Sequence, residues 1–174
     1  ERHEGASFYV SEKLDGTSAT YALKDGEFVV CSRNKQLARD EENIFWRIAE
    51  ELHIQEKLEA LGENMAIQGE MIGEGINANP YDLKGHEFHV FNAYDIESST
   101  YIGYREFKEL IANMGLKTVP ILQEHLVLNH DVEDLEELAA GPSQLNPDIP
   151  REGIVVRSME EGFDEELGRL SFKV

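Results

Sequence analysis

Six short stretches, spread along 174 residues, hold the side chains that chemistry at a phosphate requires. In Lys13-Leu14-Asp15-Gly16-Thr17 a lysine stands between an apolar, strand-like run (Phe8, Tyr9, Val10) and a glycine turn. A lysine so placed is held on a rigid edge and can be aimed at a phosphate. Its ordinary pKa of about 10.4 keeps it protonated, so a nucleophilic role needs nearby positive charge or desolvation. Asp15 shares a face with Lys13 if the strand continues, and Gly16 allows a tight turn. Arg33, in Ser32-Arg33-Asn34, ends a strand among polar neighbours, and its planar guanidinium suits two-pronged phosphate contact. Glu70, after Gly69, lies with Gln68 on one face of a strand whose other face carries Ile67 and Met71. Taken singly, each has a plainer reading: a solvated lysine, a turn-forming aspartate, a surface arginine beside a carboxylate, a glutamate facing water.

The remaining stretches are Phe88-His89-Val90-Phe91-Asn92-Ala93-Tyr94-Asp95, Arg151-Glu152-Gly153-Ile154-Val155-Val156-Arg157 and Ser171-Phe172-Lys173-Val174. In this order and spacing the six stretches resemble the motif set of the covalent nucleotidyltransferases: ATP-dependent DNA ligases, RNA ligases and mRNA capping enzymes. The resemblance covers nearly the whole chain. It implies that Lys13 attacks the α-phosphate of a nucleotide and carries the nucleoside monophosphate as a phosphoramidate. Glu12, Asp15 and Gly16 then belong to the nucleotide site, and Glu70 binds the ribose hydroxyls. Arg33 touches the nucleotide or an RNA end, Lys173 contacts the α-phosphate, and Glu152 holds Mg²⁺ or Mn²⁺ directly or through water. Arg157 is assigned a structural part. An aromatic ring is expected on the purine. Phe91-Asn92, with Asn where Asp is usual, and Tyr94-Asp95, with Tyr where Phe is usual, can each be set on the family's aromatic–aspartate pair and differ in strand parity; Phe91 is preferred because Phe88-x-Val90 matches the residues that precede it.

DNA ligases and capping enzymes usually carry arginine two residues after the glycine, where this chain has Ser18. Lys-Leu-Asp-Gly-Thr-Ser, with Ser-Arg-Asn and Gly-Glu, is more similar to RNA ligases of the nick-sealing, RNA-repair type. The implied reaction takes AMP from ATP onto Lys13, passes it to an RNA 5′-phosphate, and seals that end to a 3′-hydroxyl. The expected partners are ATP and RNA bearing those two ends. A capping-type guanylyltransferase or DNA ligase is the alternative within the superfamily. A noncatalytic acidic interaction domain with the same fold is the alternative outside it.

Composition sets the frame. The chain carries 16 Lys+Arg against 35 Asp+Glu, a net charge of −19 that opposes nonspecific nucleic-acid binding by the domain as a whole while allowing a local basic groove. Hydrophobic residues make up 41%, enough for one domain with a real core. Cys31 is the only cysteine, which rules out an intrachain disulfide and fits a cytoplasmic or other reducing compartment. No signal-peptide or membrane-spanning pattern is present. His3, His53, His86, His89, His125 and His130 are scattered without metal-ligand spacing. Because the sequence starts at Glu1 and stops at Val174 within an apparent strand, it is read as a single adenylation domain, 1–174, truncated at its C-terminus, with a further C-terminal domain expected.

The elements that must position these residues follow from apolar periodicity. Strands are expected over Phe8–Leu14, Ser18–Leu23, Glu27–Ser32, Met65–Met71, Glu87–Ile96, Gly153–Arg157 and Arg169–Val174. Helices are expected over Asp40–Leu61 (one, or two broken near Ile54), Tyr104–Met114 and Val132–Ala140. Strands and helices do not alternate regularly, so a doubly wound parallel sheet is disfavoured. The expected fold is α+β: mostly antiparallel sheets with outer helices enclosing a nucleotide cleft, as in a nucleotidyltransferase or ATP-grasp-like ligase adenylation domain.

Overall fold

A computed structural model describes residues 5–127, 129 and 131–174. His3 and His130 lie outside the described residues. In chain order the elements are β1 (Ser7–Lys13), β2 (Thr17–Lys24), β3 (Glu27–Ser32), α1 (Ile44–Glu51), α2 (Ile54–Leu61), β4 (Met65–Gly73), β5 (His86–Asp95), β6 (Thr100–Tyr101) and α3 (Tyr104–Asn113). They continue with β7 (Lys117–Thr118), β8 (Ile121–Val127), α4 (Val132–Ala139), β9 (Gly153–Ser158), β10 (Phe163–Asp164), β11 (Gly168–Arg169) and β12 (Ser171–Lys173).

Two antiparallel sheets form the body, one ordered β12-β9-β1-β8 and the other β3-β2-β4-β5-β6; the short β7 joins β5 in parallel and β10 pairs β11. The α+β reading of the sequence therefore holds. The hairpin β2–β3 turns on Asp25 and Gly26, both with positive φ (51° and 79°), which matches the right-handed twist of its strands.

Alternation along β2 and β4 separates two faces. Ala19, Tyr21, Leu23, Met65, Ile67 and Met71 are buried against α1, α2 and α3, where they meet Trp46, Ile48, Leu58, Phe107 and Ile111. The opposite face carries Ser18, Thr20, Gln68 and Glu70. In the other sheet Phe8, Val10, Ile154 and Val156 pack with Leu126, with Leu138 of α4 beside them. A third, small cluster of Leu14, Ile72, Tyr81 and Val119 joins the two sheets.

Three expectations need correction, and one strand is new. The helix over Asp40–Leu61 starts only at Ile44, because the Asn43 side chain accepts the N–H of Phe45 and caps it there. The two-helix reading holds, with the break at His53 (φ 52°), next to Ile54, and α2 ends on Gly62 (φ 69°) as expected. The strand over Arg169–Val174 is divided at Leu170: Gly168–Arg169 pairs with β10, Ser171–Lys173 with β9. Strand β8 has no counterpart in the apolar periodicity of the sequence. It is a sheet edge with register shifts against β1 and a positive φ at His125 (60°), and such irregularity erases the two-residue period. Finally, β1 ends at Lys13 and does not continue to Asp15. Among the described residues no helix is long and apolar enough to cross a membrane.

Candidate active site

The cleft between the two sheets has a volume of about 420 Å³. From one sheet come Lys13 at the end of β1, Glu152 just before β9, Val155 and Arg157 on β9 and Lys173 on β12; from the other come Ser18 on β2, Arg33 after β3, Glu70 on β4 and Phe91 on β5. Glu12, Asp15 and Gly16 border the same cavity. All nine residues singled out from the sequence thus line one space. Four cations (Lys13, Arg33, Arg157, Lys173) line the cleft with the acidic side chains of Asp15, Glu70 and Glu152, so the cleft does not share the acidic excess of a chain that carries −19. Much of the excess acidity lies elsewhere, for instance on α4 with Glu133, Asp134, Glu136 and Glu137.

Strand pairing places Lys13 opposite Gly153, which brings its Nζ to the carboxylate of the adjacent Glu152, to which it donates. Past Lys13 the chain leaves the sheet because Leu14 turns into the small apolar cluster. Asp15 is then held by two residues of the 74–85 loop. Its N–H donates to the Tyr81 hydroxyl at 2.6 Å, and Asn77 Nδ2 donates to Asp15 Oδ1 and to Gly16 O, both at 2.8 Å. Burial pushes the Tyr81 phenol up to about 12, so it stays a neutral acceptor. Gly16 lies so close to β4 that a Cβ would meet the carbonyl of Met71 and come within 2.7 Å of Ile72 Cγ2. The glycine is required by close approach.

Glu12 differs from its neighbours. It is 1% exposed, its Oε2 accepts the N–H of Gln144 at 2.8 Å, and its Oε1 is buried without a hydrogen bond. Its parity along β1 is that of Phe8 and Val10, opposite to Lys13. The carboxylate thus anchors the loop 141–150 behind the cleft, and that loop in turn closes by Ser143 N–H to Ile149 O at 3.0 Å.

Glu70 lies across β2 from Ser18. Burial is the main reason its carboxyl is pushed up to about 7; the nearby Glu152 charge adds to the rise, and Lys13 and Lys173 oppose it. Three acidic side chains, Asp15, Glu70 and Glu152, are thus within electrostatic reach of one another. Among the described residues no three His, Cys, Asp or Glu side chains are arranged as a ready metal cage. Hard oxygen donors without a complete cage fit a divalent cation that draws its other ligands from water and substrate phosphates.

The two aromatic candidates are separated by a β-bulge. Gln68 pairs with Asn92 and Gly69 with Val90, leaving Phe91 as the extra residue. The bulge shifts parity, so Val90 and Ala93 both enter the core while Phe91 faces the cleft. Tyr94 faces a separate pocket on the same sheet. Arg157, 6% exposed, fixes Phe91: its Nη1 donates to Phe91 O at 2.6 Å, its Nε donates to Ser171 Oγ at 3.1 Å, and its guanidinium lies 5.5 Å from the ring centre. Asn77, Tyr81 and Gln144 had not been singled out from the sequence. Their only signal there was the density of turn-forming residues in the 74–85 and 141–150 loops.

The family model described as RNA ligase matches residues 6–174. No curated protein matches the chain. Solved structures of Naegleria gruberi RNA ligase are similar to it. A lysine-to-alanine mutant with ATP and Mn superposes with TM-score 0.91 at 37% identity, covering 99% of this chain and 50% of that one. The protein with PPi gives TM-score 0.91 at 38% identity over 100% of this chain and 50% of that one. A lysine-to-methionine mutant with AMP and Mn gives TM-score 0.91 at 37% identity, with 99% and 50% coverage. The chain spans about half the length of the solved chains it matches.

Proposed function

Since the chain belongs to the RNA ligase family, we propose that it is the nucleotidyltransferase unit of an ATP-dependent RNA ligase and that Lys13 is its nucleophile. The observation that carries this reading is the convergence of six sequence-distant stretches on one cleft around Lys13.

In the first step Lys13 Nζ, having lost its proton, attacks the α-phosphorus of ATP. The N–P bond forms, the bond to the bridging oxygen breaks, and pyrophosphate leaves. In the second, an RNA 5′-phosphate oxygen displaces Lys13 and forms a phosphoanhydride with AMP. In the third, a 3′-hydroxyl attacks that 5′-phosphate and AMP departs. The first step needs only this unit.

Positioning and charge neutralisation do most of the work in phosphoryl transfer. Phe91, braced by Arg157, stacks on the adenine. Glu70 and Asp15 orient the ribose, Asp15 being fixed by Asn77 and Tyr81. Arg33 and Lys173 neutralise phosphate charge at opposite walls of the cleft. Glu12 acts on the nucleotide site through the Gln144 loop. Glu152, with Glu70 beside it, is the residue set to hold Mg²⁺ or Mn²⁺, which when bound supplies positive charge that favours a neutral lysine amine and screens the phosphates.

The test is intact-protein mass after incubation with Mg²⁺ or Mn²⁺ and either ATP or GTP, with Lys13→Ala in parallel. A gain of one AMP from ATP alone, absent in the variant and released by acid, is the expected result. A GMP adduct would move the chain to the capping branch. No adduct from either nucleotide would leave a noncatalytic binding domain as the better description.

A further inference from the structure

A second pocket, of about 660 Å³, lies on the same polar sheet face and has no part in the reaction described above. Thr20, Gln68, Tyr94, Tyr101, Phe163 and Arg169 are among the residues that line it. It adjoins the nucleotide cleft directly. On β2 the cleft residue is Ser18 and the pocket residue Thr20; on β4 they are Glu70 and Gln68. Two residues along a strand advance about 6.8 Å on one face, which is about one step of an extended polynucleotide backbone.

Its chemistry is that of a neutral, flat, hydrogen-bonding ligand. Arg169 is the cation of the pocket, and Glu161 takes it up in a two-pronged pair at 3.0 and 2.6 Å. The guanidinium carbon Cζ of Arg169 lies over the Tyr101 ring, 3.5 Å from the ring centre. With its charge met, Arg169 offers surface more than attraction for a phosphate. A directed chain then fixes Gln68 and Thr20: Arg169 Nη1 donates to Asn92 Oδ1 at 2.9 Å, Asn92 Nδ2 to Gln68 Oε1 at 3.2 Å, and Gln68 Nε2 to Thr20 Oγ1 at 3.2 Å. The Thr20 hydroxyl hydrogen and the second amide hydrogen of Gln68 remain for a ligand edge. Phe163 is 80% exposed, a large aromatic held in water.

We propose that this pocket holds one nucleobase of the RNA strand, the neighbour of the nucleotide engaged in the catalytic cleft. The base lies under Phe163 and against the stack that Arg169 makes with Tyr101, and its edge meets Thr20 and Gln68. This assignment rests on the RNA-ligase reading and adds to it a place where the strand is gripped by a base as well as by its phosphates.

The test measures binding and catalysis apart. A fluorescent RNA oligonucleotide with a 5′-phosphate, offered free and within a nicked duplex, is titrated with wild type, Phe163→Ala and Tyr101→Ala by anisotropy. Val132→Ala, on the distant α4 surface, is the control, and circular dichroism checks the fold of the Tyr101 variant. The expected result is RNA binding weakened by about tenfold in both pocket variants, the range for loss of one base stack, with wild-type yield of AMP adduct. A 4-thiouridine at one position should also cross-link to the peptide carrying Tyr101 or Phe163. RNA affinity unchanged in Phe163→Ala and Tyr101→Ala, or no RNA binding by wild type, overturns the proposal. If those variants instead alter self-association in sedimentation with RNA affinity intact, the pocket docks protein and the proposal is wrong. Failure of adduct formation in wild type, with RNA binding still lost in the variants, would count against the adenylylation reading alone.

Discussion

Lys13 and Glu152, 139 residues apart in sequence, meet as an ion pair at the cleft between the two sheets. The pairing of β1 with β9 in the register Lys13↔Gly153 makes the meeting obligatory. The amine proposed to attack phosphorus is thereby held by the carboxylate proposed to bind the metal ion. Both side chains are about a third exposed (31% and 38%), so solvent screens the pair.

Glu152→Gln should therefore separate stability from catalysis. Removing a partly exposed ion pair costs below about 1 kcal/mol, and the urea midpoint should barely move. The rate of AMP-adduct formation should fall by about a hundredfold and recover in part at higher Mn²⁺. EDTA should abolish the adduct in wild type. An unchanged rate in Glu152→Gln would remove this residue from the metal site.

Glu70 predicts a pH effect of definite sign. Its folded value, about 7, lies above the ordinary carboxylate value of 4.5, because burial and Glu152 disfavour the charge. The folded state thus binds the proton more tightly. The corresponding stability is fully present below about pH 4.5 and is lost as pH rises through about 7. Between pH 5 and pH 8 the denaturation midpoint of wild type should drop more than that of Glu70→Gln. Parallel midpoints for the two proteins would contradict the assignment. Carboxyls held low, such as Glu87 and Glu124, act only in more acid solution.

Gly16→Ala should destabilise by about 1–3 kcal/mol, because the new methyl meets Met71 O and Ile72. Thermal unfolding measures this directly. The control is Gly75→Ala, which has open space around its Cβ position and should act only through its positive φ of 76°. Equal losses at the two sites would show that close approach at Gly16 is not the constraint.

Asn77→Ala removes the donor that serves both Asp15 and Gly16. Each lost hydrogen bond of this kind is worth about 1 kcal/mol, so the apparent KM for ATP should rise by about tenfold with the global fold intact. Leu→Ala changes elsewhere in the core would instead lower stability without a selective effect on ATP.

Phe91→Leu keeps an apolar side chain but removes the ring facing Arg157. ATP half-saturation should rise by about tenfold, in the range of a lost base stack, while Tyr94→Leu should leave ATP use unchanged because Tyr94 lies in the neighbouring pocket. The reverse pattern would reassign the adenine platform.

What the sequence determined by itself was local and ordinal. Apolar alternation showed β1–β5 and β9, capping residues bounded the helices to within a few positions, and six stretches in fixed order carry the family resemblance on which the proposed chemistry rests. Those features reside in neighbouring residues, where side-chain period and turn preference act directly. The tertiary structure decided everything that depends on which strand lies beside which. The bulge at Phe91 cancelled the parity difference that had set Phe91 against Tyr94, and no local pattern announces a bulge whose cause is the register with β4. The edge strand β8 was hidden because its pairing is irregular. Asn77, Tyr81 and Gln144 acquired their roles from partners 62, 66 and 132 residues away. The net charge of −19 described the surface, while the mixture of charges inside the cleft followed from the folding of two sheets against each other.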